Sequence, residues 1–208
     1  MFSLVVDDFC VNFEGIQHAK HLKESLEHHY EVSMDWEGRL FCVIILDWNY
    51  NMKHFYLSIP GYVQRKRTKY QHPDPLKPQH SSYQATPIRY GTKVQHPVQS
   101  DATALIYPEQ IKRFQYIVGS FICYGRACNT TLTASLSAIT SCQIKGTETF
   151  LANSYQLLYY LATHPDDALC YHSSDMILSF DTDASYLYEP GGISHVAVYY
   201  YMTNKGPK

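Results

Sequence analysis

Apolar positions in the first sixty residues follow a pattern that predicts an antiparallel sheet carrying one helix. Leu4-Val5-Val6 and Phe9-Cys10-Val11 flank the acidic pair Asp7-Asp8. Residues 3–6 and 9–13 are therefore expected to form a β-hairpin with both carboxylates at its tip, where Asp tolerates turn geometry. Ala19, Leu22, Leu26 and Tyr30 recur at helical spacing across 16–30. Val32 and Met34 begin another strand, which the turn Trp36-Glu37-Gly38-Arg39 ends. Leu40 to Trp48 reads as one apolar strand broken only by Asp47, and Phe55 to Ile59 gives the last strand. Pro60 then opens a short helix containing Tyr62 and Val63, at a position where its missing N–H costs least.

From 71 to 108 the pattern stops. Six of the ten prolines fall there, at 73, 75, 78, 87, 97 and 108, so this stretch is expected to be an extended connector. Three helices follow, over 108–127, 132–143 and 147–163. Ile111, Phe114, Ile117, Val118, Phe121 and Ile122 form the buried stripe of the first. Gly146 ends the second, and His164-Pro165 stops the third. Leu169 to His172, Met176 to Asp181 and His195 to Met202 read as three strands, expected to form one further sheet.

Composition narrows this picture without changing it. Hydrophobic residues make up 45% of 208, enough for a buried core in one or two small domains. Lysine and arginine number 17 against 19 acids, so no global basic field recruits nucleic acid and any such surface must be local. Cysteines at 10, 42, 123, 128, 142 and 170 form no Cys-x-x-Cys pair, which favours free thiols in a reducing compartment. No apolar run approaches the length of a membrane span. The expected location is cytoplasmic or nuclear, with no membrane partner.

Two clusters carry candidate chemistry. The Asp7-Asp8 pair reads first as an exposed turn, and as a chemical site it offers hard oxygens to a divalent ion such as Mg²⁺, with Asp7 the ligand and Asp8 its neighbour. The densest cationic stretch is Gln64-Arg65-Lys66-Arg67-Thr68-Lys69, to which the connector adds Lys77, Arg89 and Lys93. It reads either as a solvated helix face or as a set of phosphate contacts through Arg65, Lys66, Arg67 and Lys69, salt-dependent and blind to sequence. Histidines 18, 21, 28, 29, 72, 80 and 96 lack the cysteine spacing of a zinc finger. No Gly-x-Ser-x-Gly elbow supports a serine hydrolase.

Read in order, Leu4-Val5-Val6-Asp7-Asp8-Phe9, Tyr30-Glu31-Val32-Ser33, Leu46-Asp47-Trp48, Leu57-Ser58-Ile59-Pro60-Gly61-Tyr62, Ile117-Val118-Gly119-Ser120 and Ser179-Phe180-Asp181-Thr182-Asp183-Ala184-Ser185-Tyr186 closely resemble the Pol polyprotein of copia-type retrotransposons. The resemblance covers nearly the whole chain. It implies an α+β fold made of a partial reverse-transcriptase palm (1–59), a short basic helix and Pro-rich connector (60–107), a helical thumb or connection region (108–166) and a truncated RNase H-like sheet (167–208). It carries Asp7 over as a catalytic Mg²⁺ ligand of the polymerase, Asp8 as its neighbour, and Asp183 as the first metal-binding aspartate of RNase H. The family's polymerase takes another essential aspartate from an earlier strand, and its RNase H takes further acids from later elements. Glu189 is the only acid after Asp183. Both sites are therefore expected to be vestigial halves, with Mg²⁺ bound weakly or not at all and no independent catalysis. An RNA or DNA duplex on the basic helix and an intact polymerase chain are the partners this implies. The alternative is a nucleic-acid-binding or assembly module.

Overall fold

The helix over 108–127 organises the molecule because its apolar residues recur every three to four positions. In the computed structural model, which describes residues 2–84, 101–143, 146–184, 194 and 196–206, this helix is α3, Pro108–Ala127, and it follows α1, Ile16–Glu27, and α2, Tyr62–Tyr70. Pro108 occupies its first turn, and the Gln110 side chain accepts a hydrogen bond from the Tyr107 N–H, closing the helix start. A single 3-10 turn, Thr130–Leu132, leads into α4, Thr133–Cys142, and α5 runs Glu148–Thr163. The Thr147 hydroxyl caps α5 by accepting from the Phe150 N–H at 3.3 Å.

Phe114, Ile117, Val118, Phe121 and Tyr124 of α3 pack with Leu132, Leu136, Ile139, Phe150, Leu157, Leu158 and Leu161, joined by Ile59 and Val63 from the other side. Gly146 lies where a side chain would overlap Ile111, and its positive φ also favours glycine. Ahead of it, the Asp101 carboxylate accepts from the Thr147 hydroxyl, from the Thr103 N–H at 2.9 Å and from the Thr103 hydroxyl at 2.7 Å. Those bonds, the Thr147 hydroxyl first, hold the Asp101 carboxyl down at about 2.

The strands form a mixed α+β fold with several small sheets, none closed into a barrel among the described residues. β1, Phe2–Val5, pairs with β2, Asp8–Val11, as an antiparallel hairpin. β3, Leu40–Phe41, β4, Ile44–Asn49, β5, His54–Ser58, and β6, Ala168–His172, make a four-stranded antiparallel sheet in that order. β7, Ile177–Ala184, and β8, Val196–Thr203, make a separate two-stranded ribbon.

Five expectations change. The acidic hairpin does not join the strands of 40–58: among the described residues β1 and β2 hydrogen-bond only to each other, as a separate two-stranded sheet. The strand at Val32 and Met34 is absent: Asp35 accepts from the N–H groups of Glu37, Arg39 and Leu40 and ties that segment into a turn. Leu40 to Trp48 is two strands, reversed at Cys42 and Val43, both with positive φ. The first helix stops at Glu27, and the His29 and Tyr30 N–H groups close back on the Leu26 carbonyl, so Tyr30 leaves the helical stripe and is exposed. Ala19 is the buried residue of α1. Finally, β6 does not lie beside β7 and β8. It pairs with β5, because Phe55 meets Tyr171 across the ladder with rings 5.2 Å apart and nearly parallel.

The described part of the connector, 71–84 and 101–107, contains no helix and makes one isolated bridge, Leu105 to Thr147. Residues 71–84 run over α5 and α4. The Gln79 N–H donates to the Thr163 hydroxyl at 2.9 Å, Gln156 donates to the Ser81 carbonyl at 2.7 Å, and the Ser82 and Ser135 hydroxyls meet at 2.5 Å. Expectations for Arg89, Lys93, His96, Ser185, Tyr186, Glu189 and His195 lie outside the described residues.

Phe121 is fully buried at the centre of this core. Phe121→Ala is expected to lower unfolding free energy by about 3–5 kcal/mol in urea titrations. A loss under 1 kcal/mol would mean that the helices do not pack around it.

Candidate metal and nucleic-acid sites

The acidic turn forms as the flanking strands dictate. Val5 and Asp8 face each other across the hairpin, so Val6 and Asp7 make the reversal and Asp8 heads β2. Val6 takes a φ of 56° and is almost wholly exposed. A β-branched residue rarely adopts that conformation, so the turn is strained immediately before Asp7. Cys42, in the β3–β4 reversal, lies against this turn. Burial raises its thiol pKa, followed by the charge of Asp8, a hydrogen bond to Asp8, and the charge of Asp7. The sequence gives no signal for that neighbour, because it depends on how two hairpins dock.

Asp183 sits on β7 opposite Ala197, exposed, on the same ribbon face as Asp181. Among the described residues no group of three or more His, Cys, Asp or Glu side chains is arranged to hold a metal ion. Asp183 therefore does not join Asp7 and Asp8 in one cluster. The two acids of the turn can supply oxygens to a hard cation, but a two-ion centre draws carboxylates from several elements.

The cationic cluster divides by helical phase. Lys66 extends its ammonium over the Tyr62 ring at 5.1 Å, Lys69 lies over the Tyr70 ring at 5.6 Å, and Arg65 donates to the Pro60 carbonyl at 2.9 Å. Arg67 points the other way. Only 7% exposed, it donates to the Asp74 carboxylate at 2.6 Å and to the Gln64 side chain at 3.3 Å. Its guanidinium ties α2 to the connector and is not presented to a ligand as the other three are.

Two cations missing from the sequence reading complete the outer face. Glu109, Lys112, Arg113 and Tyr116 follow one another at helical spacing along α3 and, with Lys69 and Tyr70, line an open cleft of about 580 Å³. Arg113 donates to the Tyr70 carbonyl at 2.6 Å, satisfying the end of α2. The signal was available as a second, polar stripe on α3 opposite the apolar one.

His72 closes the inner side. Its ring stacks on Tyr155 at 5.8 Å and lies tilted against Tyr159 at 4.8 Å, and among the described residues neither its Nε2 nor Arg67 Nε has a hydrogen-bond partner. Burial, then the positive charges of Arg67 and Arg113, lowers its pKa to about 4, against a weaker opposing pull from Asp74. No helix among the described residues is long and apolar enough to cross a membrane. Comparison of the chain with protein-family models, with curated proteins and with solved structures finds no match in any of the three.

The division of the cluster predicts unequal costs. Arg67→Ala is expected to lower stability by about 1–3 kcal/mol, because it frees a packed site and unpairs Asp74. Lys66→Ala and Lys69→Ala should change stability by less than about 0.5 kcal/mol. Equal losses in chemical denaturation would show that Arg67 is no anchor.

Because the His72 pKa is lower folded than unfolded, the unfolded chain takes up this proton first as pH falls. The stability from neutral His72 is complete above about 6.5 and is lost progressively toward 4. His72→Phe should flatten the urea midpoint across that window. An unchanged slope would assign the pH dependence to other groups.

Proposed function

We propose that the chain is a piece of a copia-type Pol polyprotein, running from the tail of a reverse-transcriptase palm through a helical thumb or connection region into the start of an RNase H-like sheet, without independent catalysis. The observation that carries this reading is the acidic turn. Asp7 follows Val6, whose positive φ marks the tip of a hairpin, so both carboxylates stand at the end of the two strands as the resemblance requires. The remaining motifs supply the order: antiparallel strands, a Pro-Gly entry into a basic helix, a three-helix core, then the strand that carries Asp183.

Mg²⁺ is the cation these carboxylates suit, and in such enzymes it stabilises charge building on a transferring phosphoryl group. Here Asp7 and Asp8 come from one turn and Asp183 from a distant ribbon, so each supplies part of a ligand set. Asp7 and Asp8 are both exposed at the hairpin tip, where Asp8 also has the Cys42 thiol beside it.

A second reading, a nucleic-acid-binding or assembly module, is favoured by the outer cationic face. Lys69 on α2 and Lys112 and Arg113 on α3 border one open cleft with Tyr70, Tyr116 and the acid Glu109, while Arg65 and Lys66 lie nearer the start of α2, beside Pro60 and the Tyr62 ring. Such an array contacts phosphates of an RNA or DNA duplex without reading bases, and it is compatible with binding beside an intact polymerase chain in the cytoplasm or nucleus.

The two readings make separable predictions. Purified protein should neither extend a primer nor cleave the RNA of a hybrid with Mg²⁺ or Mn²⁺. Activity abolished by Asp7→Asn or Asp183→Asn would overturn the first reading. Duplex affinity should fall with salt, and Lys66→Ala, Lys69→Ala and Lys112→Ala should each reduce the slope of log affinity against log salt by about 0.9. No binding at 50 mM salt would remove the second.

A further inference from the structure

Cys170 and His172 alternate with Leu169 and Tyr171 along β6, so both point to one face of the four-stranded sheet. Register places Tyr56 opposite Cys170 and His54 opposite His172, and β4 continues that face with Asp47 and Asn49. The other face carries Trp48, Phe55 and Tyr171, whose rings pack along it. A polar face bearing a thiol and two imidazoles therefore backs an aromatic one. Cys170 and His54 are half-buried and His172 is exposed, so solvent reaches the group.

The Cys170 Sγ lies 3.6 Å from His172 Nε2. At this spacing one proton is shared between sulfur and nitrogen, and the lone pairs of the two atoms converge on it. A tetrahedral zinc ion, with sulfur about 2.3 Å and nitrogen about 2.0 Å away, sets such donors roughly 3.5 Å apart. An ion can therefore replace that proton with little movement of either side chain. Two neighbours prepare the pair. The His54 ring meets His172 edge to face at 5.7 Å and packs the imidazole in place. The Tyr56 phenol hydrogen-bonds the Cys170 sulfur; that bond, followed by the charge on the sulfur, burial and the charge of Asp47, raises the phenol's pKa and keeps it a proton donor to a thiolate. Cys128 and Cys42 are poorer ligands: burial pushes the first thiol up to about 11, and burial and then the Asp8 charge raise the second.

We propose that Cys170 and His172 form a two-donor chelate for a divalent ion of the zinc class, with water in its remaining positions. Binding breaks the Cys170 S–H bond, releases that proton to solvent and forms metal–sulfur and metal–nitrogen bonds in place of two of the ion's waters, with no electron transfer. Two protein donors, where a structural zinc site has four, make this an exchangeable site. Thiolate and imidazole select zinc over Mg²⁺, which takes oxygen ligands. The chelate is thus chemically separate from Asp7, Asp8 and Asp183, and the inference is independent of the polymerase reading.

Cobalt(II), a spectroscopic stand-in for zinc, tests it on the whole chain held reduced by a phosphine. The expected result is a sulfur-to-cobalt charge-transfer band that saturates at one ion per chain with release of one proton, is displaced by Zn²⁺ and is indifferent to millimolar Mg²⁺. Cys170→Ser should abolish the band, and His172→Gln should weaken binding at least about tenfold. Cys123→Ser, and His164→Gln, which removes the contact of that histidine with His80, should leave the band and the affinity unchanged, with far-UV circular dichroism preserved in every variant. The unmodified protein supplies a check that needs no substitution: Zn²⁺ should slow alkylation of Cys170 by iodoacetamide at least about tenfold relative to Cys123, read by peptide mass spectrometry. No band at millimolar cobalt, a band that survives Cys170→Ser, an affinity indifferent to His172→Gln, or alkylation of Cys170 unaffected by Zn²⁺ would each overturn the proposal.

Discussion

The turn His164–Asp167 ties the helical core to the sheet, and the order of the chain depends on it. Asp166 accepts from the Gly61 N–H at 3.3 Å, fixing the entry to α2. The Asp167 N–H donates to the Tyr124 phenol at 3.3 Å, and its carboxylate accepts from Asn129, which is itself buried beyond the end of α3. Burial pushes the Tyr124 phenol up to about 12, so it remains a neutral acceptor there at all ordinary pH. Because α5 ends against this junction, β6 emerges beside β5 and completes the four-stranded sheet across more than a hundred residues of sequence. Ile59 and Val63, which enter the core between β5 and α2, fasten the same corner from the apolar side.

A gradient of stability follows from that arrangement. The helices share one continuous core, whereas β1–β2 and β7–β8 are two-stranded ribbons with most of their large side chains exposed. Every carboxylate assigned a metal role by resemblance, Asp7, Asp8 and Asp183, lies on a ribbon. The cations assigned to phosphate lie on α2, against the core. A rigid scaffold therefore presents the cationic face, and the acids are carried by elements whose geometry depends on what else packs against them.

Local periodicity explains which elements were readable. The limits of α3, α4 and α5 were legible to within a residue or two, since each helix buries a continuous stripe and ends at a cap or breaker that the sequence names. The partner of β6 was not legible, because pairing is decided by a contact such as Phe55 on Tyr171 between distant segments. The reversal at Cys42-Val43 was hidden for a different reason: both residues have side chains that ordinarily oppose positive φ, so composition argued for an unbroken strand. The acidic hairpin was visible from its flanks, but the approach of Cys42 to Asp8 depended on that same hidden turn.

The basic helix shows why a run of like residues cannot be read as one surface. Positions 63 and 67 are a turn apart and face the core, so Val63 and Arg67 are buried while Lys66 is half-buried and Lys69 exposed. Arginine suits the inward position because its planar fork can bond Asp74 and Gln64 at once; a lysine there would offer a single strongly hydrated charge. His72 must then remain neutral, since a second cation beside Arg67 would share the enclosure between α2 and the Tyr155 and Tyr159 rings. The orientation of the outer cations is thus set from within, by an arginine that the sequence presents as one of their number.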